Sequence, residues 1–206
     1  PNHYSSCHYP NYSIRSQALK IMEHSQDRMK EQPLKKKRNL YLIGMMGTGK
    51  SAVGRIASEK LGLSYLDSDH VIETQTGISV QEIFTRFGEN KFRKLEESFV
   101  KEGHDPDGNL VSCGGGLCIA AGMLERIKTM GLVICLWANP ETILTRTRSD
   151  SNRPLLQVES PLAEIKRILA ERESRYLSAH KVLSTENRSI EQVAQLVIEY
   201  YLEQAH

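Results

Sequence analysis

The sequence predicts an α/β protein built on a parallel sheet with helices on both faces. Three observations predict it. From Asn39 onward, short apolar runs alternate with segments of helical pattern. The first run leads directly into "GMMGTGKS", Gly44 to Ser51, and then into a helical stretch. Two later runs end in "LDSD" and "CGGG", which puts acidic and side-chain-free residues at the carboxyl ends of strands, where parallel sheets bind ligands.

Each element has its own signal. Asn39–Ile43 reads as a buried strand, and Lys50–Leu61 as a helix closed by Gly62. Ser64–Leu66 is a short strand, followed by a helix starting near Asp69. Ser79-Val80-Gln81-Glu82 is a capping box opening a helix to Phe87, and a further helix runs from about Glu89 to Glu102. "HDPDG" makes a turn into a strand at Leu110–Cys113. Ile119–Met130 reads as a helix stopped by Gly131, and Leu132–Trp137 is the most apolar strand. Asn139-Pro140 caps and begins the next helix. Residues 149–160 are polar and irregular; Pro161–Ser178 is helical, Lys181–Leu183 a short strand, and Ser189 to Gln192 cap the last helix.

Composition bounds the function classes. At 206 residues, 39% hydrophobic and 25% charged, the chain is an ordinary soluble domain with room for a core. No apolar run approaches the ~18 residues that span a bilayer. Residues 1–38 carry 8 Lys/Arg against 3 Asp/Glu, whereas the remainder carries 19 against 22. The first 38 residues therefore read as a polar, basic arm, with a weak amphipathic helix over Ile14–Lys30 that Pro33 ends, ahead of a mildly acidic domain over 39–206. The short tract Lys35–Arg38 reads as a solvated linker rather than a nucleic-acid contact. Cys7, Cys113, Cys118 and Cys135 show no metal-ligand spacing, so they read as small buried hydrophobes in a reducing, cytoplasmic compartment.

Gly44-Met45-Met46-Gly47-Thr48-Gly49-Lys50-Ser51 fits GxxxxGK[ST] with the strand and helix flanks that pattern requires. Glycines let successive amide N–H groups turn inward around phosphate oxygens, and the helix N-terminus adds its positive dipole end. Lys50 would reach the outer phosphates and Ser51 would ligate Mg²⁺. The chain is thus expected to bind a nucleoside triphosphate. Asp67 and Asp69 stand two apart at the strand end; if the strand extends that far they share a face. One could serve the Mg²⁺ shell and the other a substrate hydroxyl, although Asp69 is also placed to cap a helix. Gly114, Gly115 and Gly116 offer bare backbone N–H groups at the same edge. Arg93 and Glu96 lie i, i+3 on one helix, where a surface ion pair is the plain alternative. Arg146, Arg148 and Arg153 bracket the irregular 149–160 segment, which reads as a mobile lid over charged phosphates.

Together the loop, "LDSD", "FGENKFRKLE", "GGG", "RPLL" and "ERESRY" occur in the order and spacing of the shikimate kinases, which residues 39–200 resemble. The resemblance implies the nucleoside-monophosphate-kinase-like P-loop fold, three layers with a five-stranded parallel sheet and a closing lid. It implies ATP-dependent phosphorylation of the 3-hydroxyl of shikimate, on the way to chorismate and the aromatic amino acids. Mg²⁺ is the implied cofactor, and a cytoplasmic monomer without nucleic-acid or membrane partners is expected. By the same resemblance, Met46, Gly47, Thr48, Gly49, Lys50 and Ser51 form the phosphate loop, with Asp67 in the outer shell of the metal. Asp69 corresponds to the residue that binds the substrate hydroxyls. Arg93 and Arg172 correspond to the carboxylate clamp, with Glu96 holding Arg93 and Gly114 to Gly116 lending backbone contacts. Arg153 resembles the lid arginine at the transferring phosphate, and Arg146 the one stacking on adenine, near a loop containing Asn187 and Arg188. The sequence departs from the family at Ala52, where a hydroxyl residue usually follows the serine, and at Asn90 and Lys91. A gluconate-type or nucleotide kinase, and a silent binding module on the same fold, are the competing readings.

Overall fold

The computed structural model describes residues 37–148 and 158–204. Five strands, β1 (Asn39–Ile43), β2 (Ser64–Asp67), β3 (Asn109–Ser112), β4 (Gly131–Trp137) and β5 (Lys181–Ser184), form one sheet in the order β2-β3-β1-β4-β5. Every pairing is parallel, with Leu42 level with Ser112 on one side and with Ile134 on the other. The chain crosses between strands through α1 (Lys50–Leu61), α2 (Ser68–Thr76), α3 (Val80–Glu102), α4 (Met123–Met130), α5 (Pro140–Thr147) and α6 (Pro161–Leu177), and closes with α7 (Ile190–Glu203).

The central strand explains the layering. All five residues of β1 are buried because successive side chains point to opposite faces and both faces are covered. Tyr41 and Ile43 join Val111, Val133, Phe99, Ile127 and Tyr176 in one apolar layer. Leu40 and Leu42 join Leu110, Ile134, Val53, Val193 and Val197 in the other, against α1 and α7. Gly54 lets α1 lie close on the sheet, since a Cβ there would meet Tyr65 at 2.9 Å and Leu110 at 3.0 Å.

Several boundaries differ from expectation. The helix anticipated over Ile119–Met130 begins only at Met123. Leu117–Ile119 instead forms a 3₁₀ turn whose amides return to Gly114 and Gly116, and Gly122 at φ 74° separates it from α4. The two helices anticipated around Phe87 and Glu89 run on as α3 but meet at Gly88, whose φ of 76° and ψ of 170° are not helical. β2 extends to Asp67, so Asp69 falls in the first turn of α2 rather than on the strand. The anticipated arm helix Ile14–Lys30, its break at Pro33, and lid residues 149–157 with Arg153 lie outside the described residues.

The amino-terminal edge of the sheet is closed by side chains. Asn39, fully buried, gives its Nδ2 to the carbonyls of Asp105 and Pro106. Its Oδ1 accepts from the backbone N–H and the Nδ2 of Asn109. Lys37 caps the last turn of α1 through the Leu61 carbonyl at 2.7 Å, and the Tyr201 hydroxyl donates to the Arg38 carbonyl at 2.6 Å. Asn39→Ala would strand a buried N–H on Asn109 as well as deleting the amide's own contacts. We expect a stability loss of about 2–3 kcal/mol in urea unfolding, with the slope unchanged; a loss below ~0.5 kcal/mol would show that the network is not holding this edge.

Candidate functional site

At the opposite edge, the ends of β1, β2, β3 and β5 border a cavity of about 810 Å³ lined by Met46 to Val53, Asp67, Asp69, Ser112 to Gly115, Arg146, Thr185 and Arg188 to Glu191. The loop leaving β1 can form because three glycines take positive φ, Gly44 at 135°, Gly47 at 74° and Gly49 at 91°. At Gly44 a side chain would also collide with the Leu136 carbonyl. Thr48, buried to 1% exposure, closes the loop by donating its hydroxyl to Met45 O at 2.8 Å. Lys50 Nζ donates to the Gly44 and Met45 carbonyls, both at 3.0 Å. Gly49 is the N-cap of α1 and supplies no side-chain cap, so the positive dipole end of this helix is presented to an anion.

Asp67 sits where the two aspartates were expected to divide their work. Its Oδ1 accepts the Asp69 N–H and caps α2, while its Oδ2 accepts the Ser51 hydroxyl at 3.0 Å and the Tyr65 hydroxyl at 3.4 Å. The cap of α2 is therefore Asp67, and the Asp69 side chain is left to the cavity. Ser112, at the end of β3, brings a second hydroxyl 3.4 Å from Ser51. This cluster of hard oxygens, one carboxylate and two hydroxyls at the mouth of a phosphate loop, fits Mg²⁺, which takes few protein oxygens and completes its shell with phosphate and water.

The three glycines after β3 have a purpose the letters alone do not reveal. A Cβ on Gly114 would overlap the Asp69 carboxylate, and one on Gly116 would overlap the Arg93 guanidinium. Between them, the Gly115 carbonyl accepts from Arg172 Nη1 at 3.2 Å and from the Tyr176 hydroxyl at 2.7 Å. The stretch is thus a bare ledge on which an aspartate and two arginines converge from α2, α3 and α6. Ser68, fully buried, fixes the ledge by accepting the Gly114 N–H at 2.8 Å while its hydroxyl reaches Asp69 Oδ1 at 3.4 Å.

Electrostatics at the ledge are strained. Burial, then the neighbouring Asp67, raises the Asp69 carboxyl to about 6, against the pull of Lys50. Burial likewise raises Glu96 to about 7, although Arg93 opposes it. Glu96 is 1% exposed, so the Arg93–Glu96 pair at 2.6 Å is an interior contact and not the surface pair that spacing alone allowed. Burial would lower Arg93, but Glu96 and then Glu89 hold it above its usual range, and it stays a cation. Glu96 Oε1 has no hydrogen-bond partner among the described residues. Cys113, Cys118 and Cys135 are buried free thiols, and burial raises each.

Of the residues singled out from sequence, Met46 to Ser51, Asp67, Asp69, Gly114, Gly115 and Arg146 come together on one cavity. Gly116, Arg93 and Arg172 stand just beyond it along the ledge. Arg146 spans from α5 to Thr185 and to the Gly47 carbonyl. Arg188 lines the cavity, whereas Asn187, at φ 54°, does not; Arg153 is outside the described residues. Ser68, Ser112, Tyr176 and Thr185 escaped the sequence reading; for Tyr176 the i+4 spacing from Arg172 was the available signal.

A family model for shikimate kinase matches residues 46–202. The chain belongs to the shikimate kinase family. The shikimate kinase of Thermodesulfovibrio yellowstonii is 40% identical over 164 residues, covering 80% of this chain and 95% of that protein. That of Thermus thermophilus is 42% identical over 159 residues, covering 77% and 86%. Among solved structures, shikimate kinase from Acinetobacter baumannii in complex with shikimate superposes with a TM-score of 0.77 at 37% identity, covering 82% of this chain and 94% of that one. A gluconokinase from Sinorhizobium meliloti, at a TM-score of 0.53 and 12% identity, shares the fold alone.

Two predictions test this geometry. Gly116→Ala should push Arg93 off the ledge and away from buried Glu96, which also costs some stability. The KM for the acceptor should rise about tenfold or more with the ATP KM within about twofold, a loss of ~1.4 kcal/mol in acceptor binding. Equal rises in both would show general damage to the site. For Asp69, protonation removes its capacity to accept a proton, so activity should fall as pH drops through about 6. An acid limb near pH 4 in a pH–rate profile would mean that burial does not hold this carboxyl up.

Proposed function

We infer that this chain is a kinase that transfers the γ-phosphoryl group of ATP to the 3-hydroxyl of shikimate, a step toward chorismate and the aromatic amino acids. The observation that carries the reading is the ledge, where one carboxylate and two guanidiniums converge beside a phosphate loop. A hydroxy acid is the ligand those groups suit. Arg93 and Arg172 would clamp its carboxylate, and Asp69 would take hydrogen bonds from its ring hydroxyls and align the attacking one. A neutral sugar would offer neither guanidinium a carboxylate and would forgo that charge-assisted pairing, which is the basis of rejection.

Phosphoryl transfer requires in-line placement and charge neutralisation more than covalent help from the protein. In this reading the loop amides and the α1 N-terminus hold the phosphates, and Lys50 swings from its carbonyl partners to the outer ones. Asp69, already disposed by burial to hold a proton, accepts the one released by the hydroxyl. Ser51, with Asp67 behind it, would hold Mg²⁺, which supplies positive charge against the phosphates. Arg146 would lie against the nucleotide base at the far end of the cavity, and Arg153 would meet the transferring group when the lid closes.

Release of ADP should depend on shikimate; equal release with gluconate or a nucleoside monophosphate would overturn the assignment. Arg172→Ala should weaken shikimate binding by roughly 2–5 kcal/mol with ATP affinity little changed. A shikimate analogue without the carboxylate should lose little further affinity in that variant. If analogue and shikimate suffer alike, Arg172 is a structural helix residue and the clamp fails.

A further inference from the structure

Residues 185–189, between β5 and α7, bound the end of the cavity away from Asp69, and what holds this loop is unusual. α5 begins at Asn139, the N-cap, but the Asn139 side chain makes no capping bond and Pro140 has no N–H to satisfy. In an ordinary capping box the residue at the third helical position would return a carboxylate or amide to the N-cap N–H. Here that position is Thr142, which cannot. Glu186 fills the role from the neighbouring loop: its Oε1 accepts the Asn139 N–H at 2.7 Å, and its Oε2 accepts the Thr142 hydroxyl at 2.8 Å.

One turn further along α5, at i+4 from Thr142, Arg146 makes the return connection. It donates to the Thr185 hydroxyl at 2.8 Å, to the Thr185 carbonyl at 3.0 Å, and to the Gly47 carbonyl of the phosphate loop at 3.4 Å. The loop and the helix are therefore clipped at both ends of one helical face. Thr185 is itself buried, at 2% exposure, and its amide continues the β5–β4 pairing to Trp137 O at 2.8 Å. The clip at Arg146 faces the cavity; the clip at Glu186 lies behind it and is not part of the cavity lining.

We propose that Glu186 is a positioning residue for the nucleotide base: by capping α5 from the β5–α7 loop, it fixes Arg146 and Thr185 in the geometry that receives the base. The proposal rests on the placement of the base against Arg146. Without the carboxylate, the N-terminus of α5 has no side-chain cap, and the loop is left with its Arg146 tether to that helix and the Thr185–Trp137 backbone bond. The two walls of the base pocket then vary their spacing. Phosphate binding is set by the glycine loop and the α1 N-terminus, which the clip touches only through the long Arg146–Gly47 contact.

The experiment is calorimetric titration of the full chain with ATP, inorganic tripolyphosphate and shikimate. Glu186→Ala should weaken ATP about tenfold, or ~1.4 kcal/mol, while tripolyphosphate and shikimate stay within about twofold. Glu186→Gln should recover most of the loss, because its amide oxygen still accepts the Asn139 N–H and the Thr142 hydroxyl can turn to accept from the amide nitrogen. If Glu186→Ala does not fold, Thr142→Val removes one of the two bonds and should weaken ATP alone by about threefold, ~0.65 kcal/mol. Arg146→Ala separates the two levels of the argument. If it weakens ATP while Glu186→Ala and Thr142→Val do not, the positioning role is wrong and the base placement stands. If it leaves ATP binding unchanged, the base placement is wrong and the inference goes with it. Parallel losses for ATP and tripolyphosphate in Glu186→Ala would also overturn the proposal, since they would mark a general collapse of the phosphate end.

Discussion

The close approach of charged side chains to a backbone without side chains is the constraint on which the candidate site depends. Asp69 and Arg93 occupy the space where Cβ atoms of Gly114 and Gly116 would otherwise be, and Arg172 reaches the carbonyl between them. This packing brings groups from three helices to one edge without long, flexible reaches. It also dehydrates them, because ledge and helices together exclude water. The raised Asp69 carboxyl follows from the same closeness that gives the site its shape.

That dehydration concentrates like charges. Asp67, Asp69 and Glu96 are near enough to perturb one another, and Lys50, Arg93 and Arg172 stand among them. The balance is uneven. Asp67 accepts hydrogen bonds from Ser51, Tyr65 and the Asp69 amide. Glu96 has one oxygen on Arg93 and one without a partner among the described residues, so burial outweighs the pull of Arg93. The two carboxyls on the acceptor side are held where a proton is easily taken up.

What the sequence made legible is what lies in contiguous letters. The phosphate loop and the i, i+3 relation of Arg93 and Glu96 are matters of short-range spacing, whereas the paired aspartates of "LDSD" divide between the end of β2 and the first turn of α2. The alternation of strands and helices was readable for the same reason, since β1 carries its two-faced burial in five consecutive residues. The failures are non-local. The glycines after β3 read as donors of backbone N–H groups, whereas their main task is to yield space to Asp69 and Arg93, which arrive from helices far earlier in the chain. Glu186 reads as an ordinary loop residue until α5 is beside it, and Ser68 as part of a helix start until Gly114 donates to it. The late start of α4 has a local cause, the tight turn from Gly114 to Ile119, but no propensity scale anticipates a 3₁₀ turn forced by amides returning to a glycine ledge.

The two edges of the sheet divide stability from chemistry. At the amino-terminal edge, polar groups are paired with care: Asn39 uses both ends of its amide, Lys37 closes α1, and Tyr41 meets His104 at 3.2 Å. At the carboxyl-terminal edge the chain keeps adjoining carboxyls and a carboxylate oxygen unpartnered among the described residues, each of which costs folding free energy. Parallel pairing ties the two edges together, because one register runs from Leu40 opposite Leu110 to Leu42 opposite Ser112, the residue whose hydroxyl approaches Ser51. A slip of one residue in β3 would turn Ser112 from that edge and send its apolar partners to the wrong layer. The well-satisfied amino-terminal edge therefore offsets strain at the other and also keeps it in register, since fixing Asn109 on Asn39 sets where Ser112 and the glycine ledge must fall.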